Sequence, residues 1–501
     1  MRHVQRVWAL AFAAALAWGV GEARAETRYI ASFSTASLRV YKGLADEWGF
    51  DVPPILTKAG LDAAFRFSQQ GVRDDEPVGL YLLAGEVLPA QRAVFALPVN
   101  QNVAAIAWML EWGARPVQGK TDTVMWGGTT IRRTPGYLIV GGTPATIERV
   151  GDQTLRSLYR GNQAVLRLQG DLDGLRAAVP HQYRQVTDGL RDGVKAQGHT
   201  VNALLGPAVD ALTQKVKFAD FSLDRMSQDY KAELELQGFK RWEAGNLAKP
   251  KFPGTPVARV DVVYGDAARG AWPAEMLAAV LDGAVKDRFL SEPERQAMDS
   301  AFQGIVKLLL VGDGVSLAVD ESQGEPVLMI VTQRRAATDL KAEVANLVRP
   351  SAGAARGPVS WVDVGYETPT GLPVHRLHPL TAQADPSLHI DVAQHERMTV
   401  ATISRRPVRV MDAMLPMKTT GRLNTGVTGE ADLPRLLTVA KKLPGGPLEG
   451  ADAAALEKVV AKLARKVIRF GARFNGDTLV LDVTLPVKLL QVAQELRDLK
   501  R

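Results

Sequence analysis

The chain has 501 residues, 61 Lys and Arg against 54 Asp and Glu, a formal net charge of +7, and no cysteine. A chain without cysteine forms no disulfide, thiol nucleophile, cysteine-ligated metal site or lipidated-cysteine anchor. So small a positive surplus gives only weak attraction to acidic surfaces, so nucleic acid is not expected as a partner, and the length exceeds what a single core organises.

The first 25 residues read as a secretory signal peptide. Arg2 and Arg6 form a basic start, an apolar run extends from Val7 to Val20, and Ala23-Arg24-Ala25 has the small-x-small form of a cleavage site. Cleavage before Glu26 removes three arginines and one glutamate and leaves a net charge of +5. No later stretch approaches the ~18 uncharged apolar residues of a membrane span. The mature chain is therefore expected to be exported, soluble, and periplasmic or extracellular.

Along the mature chain, "VGLYLLAG" (78–85) and "RAVFALPV" (92–99) read as a hairpin, followed by the helix "VAAIAWMLEWG" (103–113). Trp108 and Trp112 lie four apart on that helix and are expected to share a core-facing side. "GGTTIRR" (127–133) is a turn and strand, and "GYLIVGGTPATIERV" (136–150) a strand, a turn and a helix. "VLRLQGDLDGLRAAVP" (165–180) repeats that strand–helix form. "NLAKPKFPGTP" (246–256), polar with three prolines, reads as a linker. Amphipathic helices are expected over 274–290 and over 291–311, where Ser291, Pro293 and Glu294 form a capping start. A further helix is expected over 452–470, and a strand followed by a helix over 476–499.

The second half repeats the order of the first. "VSLAVDE" and "PVLMIVT" (315–321, 326–332) match the first hairpin and "AATDLKAEVANLV" (336–348) its helix; "GLPVHRL" (371–377) is set against 127–133. "RMTVATISRRPVRVM" (397–411) matches 136–150, and "NTGVTGEADLPRLLTVAKKLP" (424–444) matches 165–180. The fold class expected is α+β: two related units, 26–250 and 251–501, with largely antiparallel sheets packed by long helices. With the phrase Gly371-Leu372-Pro373-Val374-His375-Arg376-Leu377 before a strand, the arrangement resembles large exported bacterial proteins with duplicated α+β units and no assigned activity. That resemblance implies no catalytic residue.

Several motifs hold residue types with chemistry to offer. Gly141-Gly142-Thr143-Pro144 has the strand–glycine–helix form of a phosphate cradle, but the second copy has Ser404-Arg405-Arg406-Pro407 there. Only the proline is kept, and proline suits a first helical turn, with Thr143 as N-cap. Asp173 and Asp432 are expected to cap helices likewise. "GARPVQGKTD" (113–122) has five residues between Gly113 and Gly119 where a phosphate-binding loop needs four, and Pro116 removes a loop N–H. Lys120 is expected in solvent, and Asp74-Asp75 in a solvated turn. His375, His378, His389 and His395, with Asp391 and Glu396, are the one cluster of metal-ligating types. On a strand His375 and His378 point to opposite faces, and His389 and Asp391 share one. Lys458, Lys462, Arg465 and Arg469 recur at helical spacing and offer weak contact with anionic envelope surfaces through the 452–470 helix.

No residue is thereby assigned a catalytic, cofactor-binding or metal-ligating role, and no cofactor is expected. The sequence points to an exported non-enzymatic binding or structural protein. Two alternatives stand beside it: a carrier of lipid or another apolar ligand in the cell envelope, and a metal-dependent hydrolase using His389, Asp391 and His395 from the 375–396 cluster.

Overall fold

The computed structural model describes residues 29–48, 52, 56–65, 71–83, 93–100, 102–150, 164–178, 180–196, 202, 206, 209–210, 213–227, 229–238, 246–263, 304, 308–309, 312–322, 324–333, 339–348, 360–380, 389–404, 410–415, 418–424, 426–442, 458, 461 and 467–487. The signal segment, almost all of the helices expected over 274–311, and the helix expected near the end lie outside the described residues. The chain divides into two compact units, one of Met1–Gly189, Thr213–Gly238 and Val487–Arg501, the other of Leu190–Leu212 and Phe239–Pro486. Both are α+β, and every described strand pairing in them is antiparallel.

In the first unit, β1 (Tyr29–Thr35) is followed by α1 (Leu38–Trp48) and α2 (Lys58–Phe65), then β2 (Val78–Leu83), β3 (Ala93–Pro98), α3 (Asn102–Glu111), β4 (Arg115–Pro116), β5 (Thr123–Trp126), β6 (Thr129–Thr134), β7 (Tyr137–Gly141) and α4 (Pro144–Val150). After these come β8 (Leu166–Asp171), α5 (Leu172–Ala178), α6 (Pro180–Lys195), through which the division of the chain runs, β9 (Phe218–Arg225) and β10 (Asp229–Gln237). The sheet runs β4-β5-β6-β7-β3-β2-β1-β8-β9-β10. Its central strands are continuous apolar runs because both faces are covered. Leu97, Ile131, Leu138 and Val140 pack on Met109 of α3, while Val94, Ala96 and Ile139 pack with Ile147 of α4. Each such side chain contributes about 1.5–3 kcal/mol on burial.

In the second unit come β11 (Asn246–Pro250), β12 (Ala258–Val263), β13 (Gly314–Ser322), β14 (Glu325–Gln333), α7 (Leu340–Val348), β15 (Ser360–Asp363), β16 (Tyr366–Glu367), β17 (Pro373–Leu380), β18 (His389–His395), β19 (Met398–Ser404), α8 (Met411–Met414), β20 (Thr419–Asn424), β21 (Gly426–Asp432), α9 (Leu433–Lys441), β22 (Val467–Asn475) and β23 (Thr478–Pro486). β15 and β16 both pair with β17, and the sheet continues β17-β18-β19-β14-β13-β12-β21-β22-β23. Counted from β1 in one unit and β12 in the other, the two sheets follow the same path. The hairpins β2–β3 and β13–β14 correspond, as do α3 and α7, β7 and β19, and β8 and β21.

Several expectations need correcting. The strand over 127–133 is β6, whose topological counterpart is β18, not the 371–377 strand. Residues 246–250 are not linker but β11, which pairs with β20 and shifts register between Ala248 and Pro250. In a two-stranded ribbon Pro250 needs no second partner for its missing N–H. The helix expected over 452–470 does not reach its end: Val467–Phe470 open β22, where Arg469 faces Glu430 at 3.6 Å and Arg473 meets Asp482 at 3.0 Å. Trp112 is not core but 54% exposed. α3 stops at Glu111, and Gly113 at φ +88° turns the chain so that Ala114 N–H reaches the Met109 carbonyl at 2.9 Å. The side chain of Trp108 lies outside the described residues.

Candidate functional site

The strand-to-helix turns resolve the phosphate question first. Thr143 Oγ1 accepts the Thr146 N–H at 3.1 Å, with Pro144 opening α4. Gly141 is small because β3 lies against it: a Cβ there would stand 2.9 Å from Val94 Cγ2 and 3.0 Å from the Ala93 carbonyl oxygen. The glycine thus serves sheet packing. Lys120, expected in solvent, pairs with Glu148. Asp74 and Asp75 pair with Arg39 and Arg73, at 2.9 and 3.4 Å. Asp432 caps α9, taking the Arg435 N–H at 3.2 Å. In the first unit the equivalent cap is Asp171, not Asp173: buried Asp171 accepts the Gly174 N–H at 3.0 Å, while Asp173 pairs with Arg176.

The chemistry-bearing residues gather on β17 and β18. These strands pair with His375 opposite Val392, Arg376 opposite Asp391 and Leu377 opposite Ile390. Continuing that register by one residue sets His378 opposite His389. Alternation then divides the faces. Leu377, Ile390 and Val392 turn to the core under α7, with Leu340, Val344 and Trp361. The other face carries Val374 and Ala393 toward Met411 and Met414 of α8, and beside them Arg376, His378, His389 and Asp391.

Arg376 grips Asp391 with two bonds, Nε to Oδ1 and Nη2 to Oδ2, both 2.7 Å. The Tyr366 hydroxyl donates to Oδ2 at 2.9 Å, and the guanidinium lies 4.6 Å from the centre of the Tyr366 ring. The Asp391 side chain is 3% exposed, so this carboxylate holds its charge out of water on those three bonds. Burial raises the Tyr366 pKa, and the negative charge of Asp391 raises it further. The bond to Asp391 likewise holds Arg376 protonated, against the opposing effect of burial.

His378 and His389 meet edge to face, ring centres 4.5 Å apart. Burial lowers the His389 pKa, with His378 and Arg376 acting in the same direction. Its Nδ1 is buried without a hydrogen-bond partner among the described residues. His375 faces away, its Nδ1 2.7 Å from Asp363 Oδ2. His395 lies six residues along β18 from His389, about 20 Å at strand rise, and Glu396 sits in the turn beyond it at φ +54°. The fold therefore joins His378 to His389 and separates His375 and His395 from them. Among the described residues no group of three or more His, Asp or Glu is arranged to hold a metal ion. The Arg376–Asp391–Tyr366 cluster had one signal in the sequence, an aspartate set between Ile390 and Val392, but its partners depend on the register of a hairpin.

No family model and no curated protein matches the chain. Crystal forms I, III and IV of TP0453 are similar to it over 42% of this chain and 75%, 76% and 77% of theirs, at 9%, 8% and 8% identity and a TM-score of 0.23. At that level neither fold nor function transfers. No helix among the described residues is long and apolar enough to cross a membrane.

Proposed function

We propose that the protein is an exported binding protein, not an enzyme, built by internal duplication of one α+β unit, and that its ligand is apolar. One observation carries this reading. The same three-stranded wing recurs in both units, with one apolar face left half-buried. In β8–β10 that face holds Leu168 and Phe221, which pack at the edge of clusters containing Tyr41 and Leu44 of α1, and Leu234; in β21–β23 it holds Phe470, Leu481 and Val483. Sites that take acyl chains or other apolar molecules are concave and lined mostly by apolar side chains, which faces of this kind supply. The basic N-terminal segment with its cleavage site supports export, and the shared strand order supports the duplication.

The binding reading is tested by purifying the untagged protein without detergent and analysing an organic extract by mass spectrometry. An apolar molecule near one equivalent per unit or per chain is expected. Neither a bound apolar molecule nor saturable uptake of a fluorescent fatty acid by the delipidated protein would overturn it. A mature N-terminus at Glu26 is the expected result for export. The hydrolase alternative has less support, because Asp391 is committed to Arg376 and Tyr366 and His395 lies far along the strand.

A further inference from the structure

We propose that His378 and His389 form a two-histidine chelating site for a divalent transition metal, with water completing the coordination. The inference stands apart from the apolar-ligand reading. Residues directly opposite on antiparallel strands hold their Cβ atoms about 4.5–5.5 Å apart. Two imidazole nitrogens each ~2.0–2.1 Å from one tetrahedral ion lie about 3.3 Å from each other. Rings whose centres stand 4.5 Å apart on adjacent strands are within that reach. They meet edge to face, at an interplanar angle of 81°, so one ring must turn about χ2, a broad sp3–sp2 torsion.

One further observation favours a cation here, and a second sets its electrostatic cost. His389 Nδ1 is buried with no hydrogen-bond partner among the described residues, a cost that a metal bond would relieve. The cation already beside the pair, Arg376, opposes a second positive charge at His389, and its two bonds to Asp391 offset that only in part. Imidazole donors favour Cu²⁺ over Ni²⁺ and Zn²⁺ in the usual affinity order.

The test uses the untagged protein beginning at Glu26, without the Met1-Arg2-His3 start that would itself chelate copper, and Cu²⁺ alone, read by isothermal titration and electron paramagnetic resonance. One saturable site with splitting from two nitrogens is expected. His378→Ala and His389→Ala should each weaken it by about a hundredfold or more, since chelation becomes single-ligand binding. His375→Ala, on the opposite face, should leave it unchanged. Circular dichroism identifies any variant that fails to fold, and His378→Gln then carries the test. No saturable Cu²⁺ binding by the parent protein, or loss of binding with His375→Ala and not with the folded His378 variant, overturns the proposal.

Discussion

Removing one partner from the Arg376–Asp391 pair should damage the second unit far more than removing both. Arg376→Met leaves the Asp391 carboxylate, 3% exposed, with only the Tyr366 hydroxyl. Stranding a buried charge in this way costs about 3–5 kcal/mol. Asp391→Leu strands a guanidinium whose side chain is 16% exposed and nearer to solvent, and losing its charged hydrogen bonds costs about 1.5–3 kcal/mol. In the double variant no buried charge remains, and apolar replacements of a buried pair are often neutral. The deficit should fall to about 1–2 kcal/mol, mostly the lost hydrogen bond from the Tyr366 hydroxyl to Asp391. Urea titration gives the midpoints. Because the chain has two compact units, a single transition is not assumed, and hydrogen exchange of peptides from 373–380 and 389–404 reports the local effect. A double variant no more stable than Arg376→Met, or a cost below about 1 kcal/mol for Arg376→Met, would refute this account of the cluster.

Tyr366→Phe should cost about 1.5–3 kcal/mol at neutral pH, by loss of a hydrogen bond to a charged acceptor. Its raised pKa sets the sign with pH: the stabilisation is complete below the ordinary tyrosine value near 10 and is lost as pH rises above it. The parent should therefore lose stability more steeply than Tyr366→Phe in alkaline urea titrations, and equal slopes would contradict the assignment. Asp171→Ala should cost about 1 kcal/mol and Asp173→Ala close to nothing, since only Asp171 caps α5; thermal melts of both variants decide it. Gly141→Ala should cost about 1–3 kcal/mol by overpacking against β3. Gly189→Ala, mid-helix in α6 where an added Cβ meets nothing within 4 Å, should gain up to about 1 kcal/mol. Thermal melts of the two glycine variants should therefore shift in opposite directions.

What could be read in the sequence follows from where one periodicity acts alone. β2, β3 and β7 are continuous apolar runs with glycine or proline at their ends, so their order was legible, and the strand–helix junctions at Thr143 and Asp432 carried their own caps. Errors arise where two patterns overlap. From Leu456 to Val467 the apolar residues fit a helix, while Ile468, Phe470, Ala472 and Phe474 fit a strand, and the helical pattern overruns the start of β22 by four residues. Trp112 fits the face of Trp108 in spacing, but the helix ends before it. The prolines of 246–256 suggest a linker because the pairing that uses β11 comes from β20, some 170 residues away in the chain.

The same reasoning explains why the histidine pair is hidden in the sequence. Setting residues 127–133 against 371–377 places His375 beside Ile131, and pairs β6 with a strand whose true counterpart is β5. With β6 matched to β18 instead, the hairpin equivalent to β17–β18 is β5–β6, where Thr123 stands opposite Arg132 and Val124 opposite Ile131. That hairpin has no histidine, and Arg132 there pairs with Asp122 at 3.0 Å. Both units thus keep an arginine–aspartate pair near this part of the sheet, and one alone adds two facing imidazoles. A pair present in both units is what a strand path common to the two requires for its own stability. The His378–His389 contact has no counterpart and contributes an orphaned nitrogen, so stability gives no reason for it, and a property belonging to the second unit alone is where such a reason is to be sought.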